Sequence, residues 1–224
     1  MGLFAWEIDR IAKLGLTPGF STISFGHPDI LASPDDLLPI LGVRLPIDNQ
    51  GIGHRSGMKS DAVGNARLVF GALGSQMTIV EIRKTYNVDA IVDLNFPIDL
   101  GRYDLVIDPG TSEHCFNVGQ ALVNMAKCVK VGGWIYHRVP LCHWNHGFWN
   151  FSPCAFNDFY LANGFDVILN AECGGRMHPV KTKKGDGGKW FSPRDGRKWQ
   201  LVCTAQRIKD KDIGFPMQSK YLSA

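Results

Sequence analysis

Long apolar runs are missing from this 224-residue chain; none approaches the ~20 residues that a bilayer-crossing helix needs. The opening stretch, MGLFAWEIDRIAKLG, has no basic segment followed by an apolar block, so no secretory leader is expected. Met1-Gly2 does not complete a myristoylation signal, because Trp6 stands where Ser or Thr is required. Net charge is only +3, too small by itself to imply a nucleic-acid partner. The six cysteines run from Cys115 to Cys203 without a tight pairing pattern, so reduced thiols in a cytoplasmic protein are expected. No G-x-G-x-x-G is present, which counts against a nicotinamide dinucleotide. Internal repeats are absent as well.

What is present is ordinary for a globular protein: 45% apolar and 20% charged residues. The length suits a single domain over 1–224 with a sizeable core. An N-terminal segment, 1–18, carries a short amphipathic helix on Phe4, Ile8 and Ile11, ended by Gly15. A strand over 20–26 breaks at Gly26-His27-Pro28. Residues 31–59, rich in Pro, Gly and Asp, read as a long loop with room for one short helix. Ser60 is a natural N-cap for a helix through Ala62, Val63, Ala66, Val69 and Phe70 to Leu73. Short apolar strands follow at 77–82, 90–92 and around Leu105-Val106-Ile107, each ending in polar residues as buried parallel strands do. A helix over 115–130 turns Val118, Leu122 and Met125 inward and Asn117, Gln120 and Asn124 outward, and Gly132-Gly133 closes it. The strand WIYH, a helix opened by Ser152-Pro153, and the strands FDVILN and WQLVCTAQRI complete the order. Between the last two lies a basic Gly-rich loop, 174–198. Strands alternating with helices predict an α/β fold with a mostly parallel sheet.

In such sheets ligands bind beyond the carboxyl ends of the strands. Gly26 allows close backbone approach there, or simply makes a tight turn. Glu81, just past the second of these strands, either accepts two hydrogen bonds from vicinal ribose hydroxyls or pairs with Arg83 or Lys84. Asp93 and Leu94 follow the third strand, Asp108 to His114 the fourth, and His137 the fifth.

The order TISFGHPDIL, TIVEI, IVDLNFPID, then YDLVIDPGTSEHCFNVGQALVNMAKCVKVGGWIYHRVP and HGFWNFSPCAFNDFYLANGF resembles the Rossmann-like, class I S-adenosylmethionine-dependent methyltransferases. The resemblance covers roughly residues 19–170 and is most specific from Asp93 to Gly133. It implies a seven-stranded sheet with an antiparallel last strand, helices on both faces, and S-adenosyl-L-methionine as cofactor. By the same resemblance Gly26 faces the methionine part, Glu81 the ribose, Asp93 and Leu94 the adenine, and Asp108 with Gly110 the sulfonium. Glu113-His114 matches the pair that opens the next helix. The first motif departs from the family by keeping one glycine and a proline in SFGHPD, where Asp29 is the acid nearest to take the missing role.

Histidine is suited to act as general base on an acceptor hydroxyl, and His114 and His143 are the candidates by position. His137, Asn145, His146, Phe148 and Asn150 are the expected acceptor-binding residues; a few polar groups among aromatics suit a small-molecule pocket. Cys142, His143, His146 and Cys154 match no common zinc spacing, and no metal site is expected. The basic residues of 181–198 leave a phosphate-bearing or nucleic-acid partner open, with a solvated loop the simpler reading. No membrane partner is expected. The functional expectation is methyl transfer to a small molecule such as a sugar or natural-product hydroxyl. The alternatives are a non-catalytic module on the same fold and, behind it, a nicotinamide oxidoreductase.

Overall fold

The computed structural model describes residues 2–48, 61–84, 88–180 and 196–222. The chain opens with β1 (Gly2–Leu3) and α1 (Ala5–Ala12), then β2 (Ser21–Phe25) and β3 (Asp29–Ile30). Next come α2 (Pro34–Leu41), α3 (Ala66–Ala72), β4 (Gln76–Glu81), β5 (Ala90–Ile91) and β6 (Tyr103–Asp108). A 3-10 turn (Ser112–His114) precedes α4 (Val118–Lys127), followed by β7 (Val129–Cys142), α5 (Pro153–Ala162), β8 (Phe165–Cys173), β9 (Arg176–Pro179) and β10 (Trp199–Arg207). A last 3-10 turn spans Ser219–Tyr221.

The main sheet has eight strands in the order β5-β4-β2-β6-β7-β10-β8-β9, one more than the resemblance implies. The first five are parallel; β10 lies antiparallel between β7 and β8. The added strand, β9, pairs antiparallel with β8 and comes from the segment expected to be a loop. The basic residues 181–195 lie outside the described residues. Among the described residues no helix is long and apolar enough to cross a membrane.

Alternation along the strands builds a three-layer core. Val80, Val106 and Ile135 face α4 and α5. Ile79, Leu105, Ile107 and Tyr136 face α1, α2 and α3. From β2, the chain passes through β4 to β5 on one side and later returns to β6 and β7 on the other. The strand order therefore reverses at β2, and a crevice opens beyond its carboxyl end.

Several expected boundaries move for local reasons. The helix expected from Ser60 begins only at Ala66, because Gly64 bridges Ile30 and keeps Ala62 and Val63 extended; Asn65 takes over as cap, its side chain accepting from the Arg67 N–H at 2.9 Å. Ser60 itself lies outside the described residues. The long loop does hold a short helix, α2: Ser33 and Asp36 cap it reciprocally, and Gly42 ends it at φ 68°. The helix expected over 115–130 starts only at Val118, where the Asn117 side chain caps it, and stops at Lys127. The strand expected as WIYH starts earlier, at Val129, where it pairs with Tyr103 of β6, and continues to Cys142, because β10 pairs with it from Trp134 onward.

Candidate active site

Beyond the carboxyl ends of β2, β4 and β5 lies a cleft lined by Gly26, Glu81, Leu94, Thr111 and His114, with Phe25, Val80, Val92 and Cys115 supplying apolar surface. Gly26 sits at φ 100°, and a Cβ built on it would lie 2.3 Å from Thr111 Oγ1. Only glycine fits there. Its N–H donates to the Val80 carbonyl at 2.8 Å, which ties the turn to β4. Glu81 is the last residue of β4. Its Oε1 accepts from the His27 N–H at 3.0 Å and its Oε2 from the Ile82 N–H at 3.3 Å. A half-buried carboxylate is thereby anchored at the rim of the cleft.

Leu94 is nearly buried and presents apolar surface to the same cleft. Asp93 does not line it. Its Oδ1 accepts from the backbone and side-chain amides of Asn95, at 2.9 and 2.7 Å, closing the loop after β5. Asn124 holds that loop from α4: its Nδ2 donates to the carbonyls of Leu94 and Phe96, at 3.1 and 2.8 Å. The helical pattern assigns Asn124 to the outward polar face, yet it is 1% exposed. Amides spaced along a helix do not show which backbone they will clamp, so the sequence carried no signal for this role.

Asp108 and His137 require a correction. The expected roles were contact with the sulfonium and with the acceptor. Both side chains are instead fully buried. Asp108 Oδ2 bonds His137 Nδ1 at 2.8 Å and accepts from Ser112 Oγ at 2.6 Å; Oδ1 accepts from the Thr111 N–H at 2.8 Å. The far nitrogen of His137 meets the Tyr160 hydroxyl. Burial would raise the Asp108 carboxyl, but the His137 hydrogen bond and charge, with Ser112 and Thr111, hold it below the usual carboxylate range. His137 is interior because β7 runs on to Cys142, placing it mid-strand. Gly110, at φ 99°, shapes the turn around Asp108 and is buried too. Asp29, the acid nearest the first motif, is buried in β3 against β1 and does not line the cleft.

The segment after β7 folds onto the 3-10 turn. Phe148 N–H donates to the Glu113 carbonyl at 2.8 Å, and Trp149 Nε1 to the Cys115 carbonyl at 3.0 Å. Gly147 packs so closely that a Cβ would lie 2.8 Å from the Glu113 carbonyl oxygen. Asn145 turns the chain at φ 57° and is exposed. Asn150 is used locally, accepting from the His143 N–H at 2.7 Å.

This docking brings His114, His143 and His146 together beside the cleft. His143 and His146 stack at 4.3 Å, and His114 meets His146 edge-on at 5.1 Å. Burial, then the charges of His143 and His114, push His146 down to about 4; burial also lowers His114 and His143. All three rings are therefore neutral near pH 7 and able to accept a proton or a ligand. Beneath them Glu113 is fully buried, pushed up to about 8 by burial and then by Asp108. Burial, then Asp108, also pushes the Cys115 thiol up to about 12, so it stays protonated. Exposed Phe116 and Phe148 meet edge-on at 5.5 Å and form an aromatic rim.

The parallel strands that reverse at β2, followed by an antiparallel β10 between β7 and β8, define the architecture. No family model and no curated protein matches the chain. Solved structures do. TehB from Haemophilus influenzae is similar at a TM-score of 0.52 and 12% identity, over 90% of this chain and 62% of that one. The YcgJ protein from Bacillus subtilis has a TM-score of 0.52 and 10% identity, over 92% of this chain and 98% of that one. The chain has the fold of the Rossmann-like methyltransferases. It spans less than two thirds of the Haemophilus chain's length. Within the methyltransferase fold, the cleft beyond β2, β4 and β5 lies at the switch point of the sheet.

Proposed function

We propose that the chain is an S-adenosylmethionine-dependent methyltransferase acting on a small molecule, with a hydroxyl as acceptor. The observation that carries the reading is the pairing of Glu81 with Gly26 at the switch point. A carboxylate anchored at a strand end stands beside a backbone turn that no side chain can enter. The residues fit the cofactor. Glu81 offers acceptor oxygens to a ribose diol, Gly26 gives close approach, and Leu94, Val92 and Ile82 offer apolar surface to a flat ring. Asp93 supports this by holding the loop that carries Leu94. When bound, the cofactor supplies an already activated methyl group, so the protein's part is positioning and a dry cleft.

His114, on the cleft wall, is the nearest imidazole to take the acceptor's proton, with His143 behind it. His146, Asn145 and the Phe116–Phe148 rim line the acceptor side, where a sugar or an aromatic natural product can lie against the rings. A second reading, a non-catalytic binding module, is favoured by one feature: the first motif retains a single glycine, and Thr111 Oγ1 crowds the space opposite it. Thermal shift with S-adenosylhomocysteine and NAD in parallel tests the binding reading, with stabilisation by the first alone expected. Transfer of an isotopic methyl group into a metabolite pool then separates enzyme from module. Stabilisation by NAD alone overturns the proposal.

A further inference from the structure

The Glu113 carboxyl lies buried beneath the imidazoles. Glu113 is 0% exposed, and neither of its oxygens has a hydrogen-bond partner among the described residues. The buried Nε2 of His146 is likewise without a hydrogen-bond partner and lies 3.6 Å from Glu113 Oε1. His114 Nε2 lies 3.9 Å from the same oxygen, and one ligand atom from each of the three residues falls within 4.8 Å of the others. Native interiors rarely leave a buried carboxyl group and a buried imidazole nitrogen unmatched. A polar group in that state needs a partner that the described residues do not provide.

We propose that Glu113, His114 and His146 bind one divalent transition-metal cation. Two imidazoles and one carboxylate on a single ion is a donor set that suits zinc, iron(II) or cobalt(II) and leaves further positions open. Donor atoms on one zinc at about 2.0–2.2 Å stand about 3.3–3.6 Å apart when tetrahedral. The observed 3.6 and 3.9 Å need only a contraction of a few tenths of an ångström. The ligands come from two segments already locked together, by the Phe148 N–H on the Glu113 carbonyl and by the close approach of Gly147. The site is therefore held by the fold instead of by a loose loop. His114 also lines the cleft, so a cation held by this cluster would lie beside it. A bound cation there polarises an acceptor oxygen and lowers its pKa. His143, stacked on His146 and with its Nδ1 unpartnered, is then the imidazole left to receive the proton. This ligand set differs from the Cys142-His143-His146-Cys154 combination visible in the sequence. It takes no cysteine and draws Glu113 from 33 residues upstream of His146.

Metal binding does not depend on methyl transfer and is read without it. Tag-free, full-length protein stripped with chelator is titrated with cobalt(II), following visible absorption, and then with zinc in competition. One equivalent of cobalt with a ligand-field band, displaced by zinc, is expected. His146→Ala and the isosteric Glu113→Gln should each weaken cobalt binding at least 100-fold, while Cys142→Ser and Cys154→Ser leave it within threefold. Absence of stoichiometric binding by the parent overturns the proposal. So does parental affinity in both His146→Ala and Glu113→Gln, or loss of binding in the cysteine variants alone. S-adenosylhomocysteine binding in metal-free protein reports separately on the cofactor cleft, so the two readings fail independently.

Discussion

Replacing Asp108 with alanine should unfold much of the protein's margin of stability without acting through the cofactor. The carboxylate is fully buried and accepts from Ser112 Oγ at 2.6 Å and the Thr111 N–H at 2.8 Å, while His137 Nδ1 lies 2.8 Å away. Gly110 and Ser112 N–H groups point at the same Oδ1, each at 3.3 Å. Alanine leaves all of these without a partner in a site closed to water. Breaking one side of a buried, hydrogen-bonded charge pair costs about 3–5 kcal/mol. Against a typical total of about 5–15 kcal/mol, that is roughly a fifth of the whole or more. Urea denaturation followed by tryptophan fluorescence measures it. The midpoint should fall strongly in Asp108→Ala, and less in Asp108→Asn, whose carbonyl still accepts the backbone donors. The folded fraction of Asp108→Asn should bind S-adenosylhomocysteine within threefold of the parent. An unchanged urea midpoint in Asp108→Ala, with weakened ligand binding, would refute the interior role and restore Asp108 to the cofactor.

Three further outcomes follow from other positions. Gly26→Ala places a Cβ 2.3 Å from Thr111 Oγ1 at φ 100°. Strain of about 1–3 kcal/mol is expected, with S-adenosylhomocysteine affinity down more than tenfold; parental affinity by calorimetry sinks the cradle. Burial pushes the Glu7 carboxyl up to about 7, against the lowering effects of Arg138, the Phe4 N–H and Tyr136. A raised carboxyl favours the folded state while protonated, so its contribution is present below about 4.5 and lost as pH rises through 7, a span of about 3 kcal/mol. Parent and Glu7→Gln unfolding curves should therefore diverge between pH 4.5 and 7, the parent losing stability; parallel curves contradict the shift. His114→Ala should cut methyl transfer by about 10²–10⁴-fold while cofactor affinity holds within about threefold, and unchanged turnover moves the acceptor away from this wall.

The strands and their polar ends were readable because apolar runs ending in polar residues mark buried parallel strands. The runs at 77–82, 90–92 and 105–107 became β4, β5 and β6, with Ile82 and Val92 just past the strand ends. Local signals failed where a distant partner decides the conformation. Ala62 and Val63 fit a helical face, but the bridge from Gly64 to Ile30 holds them extended. His137 looked like a strand-end residue because the strand's length was set by pairing with β10, 60-odd residues later in the chain. The chemistry-bearing residue types after β6 and β7 were visible, but their mutual geometry was not. Glu113 and His146 meet only because Gly147 and Phe148 pack on the 3-10 turn, a contact that no spacing rule encodes.

The proposed function stands on an adenosyl cofactor held through Glu81 in the cleft beyond β2 and β4. Isothermal calorimetry of S-adenosylhomocysteine against the parent and Glu81→Ala tests it most directly. Loss of charge-assisted hydrogen bonds to a ribose diol costs about 1.5–3 kcal/mol, so a dissociation constant about 10- to 150-fold weaker is expected in the variant. A measurable parental affinity that Glu81→Ala leaves unchanged, or no binding by the parent at all, would contradict it.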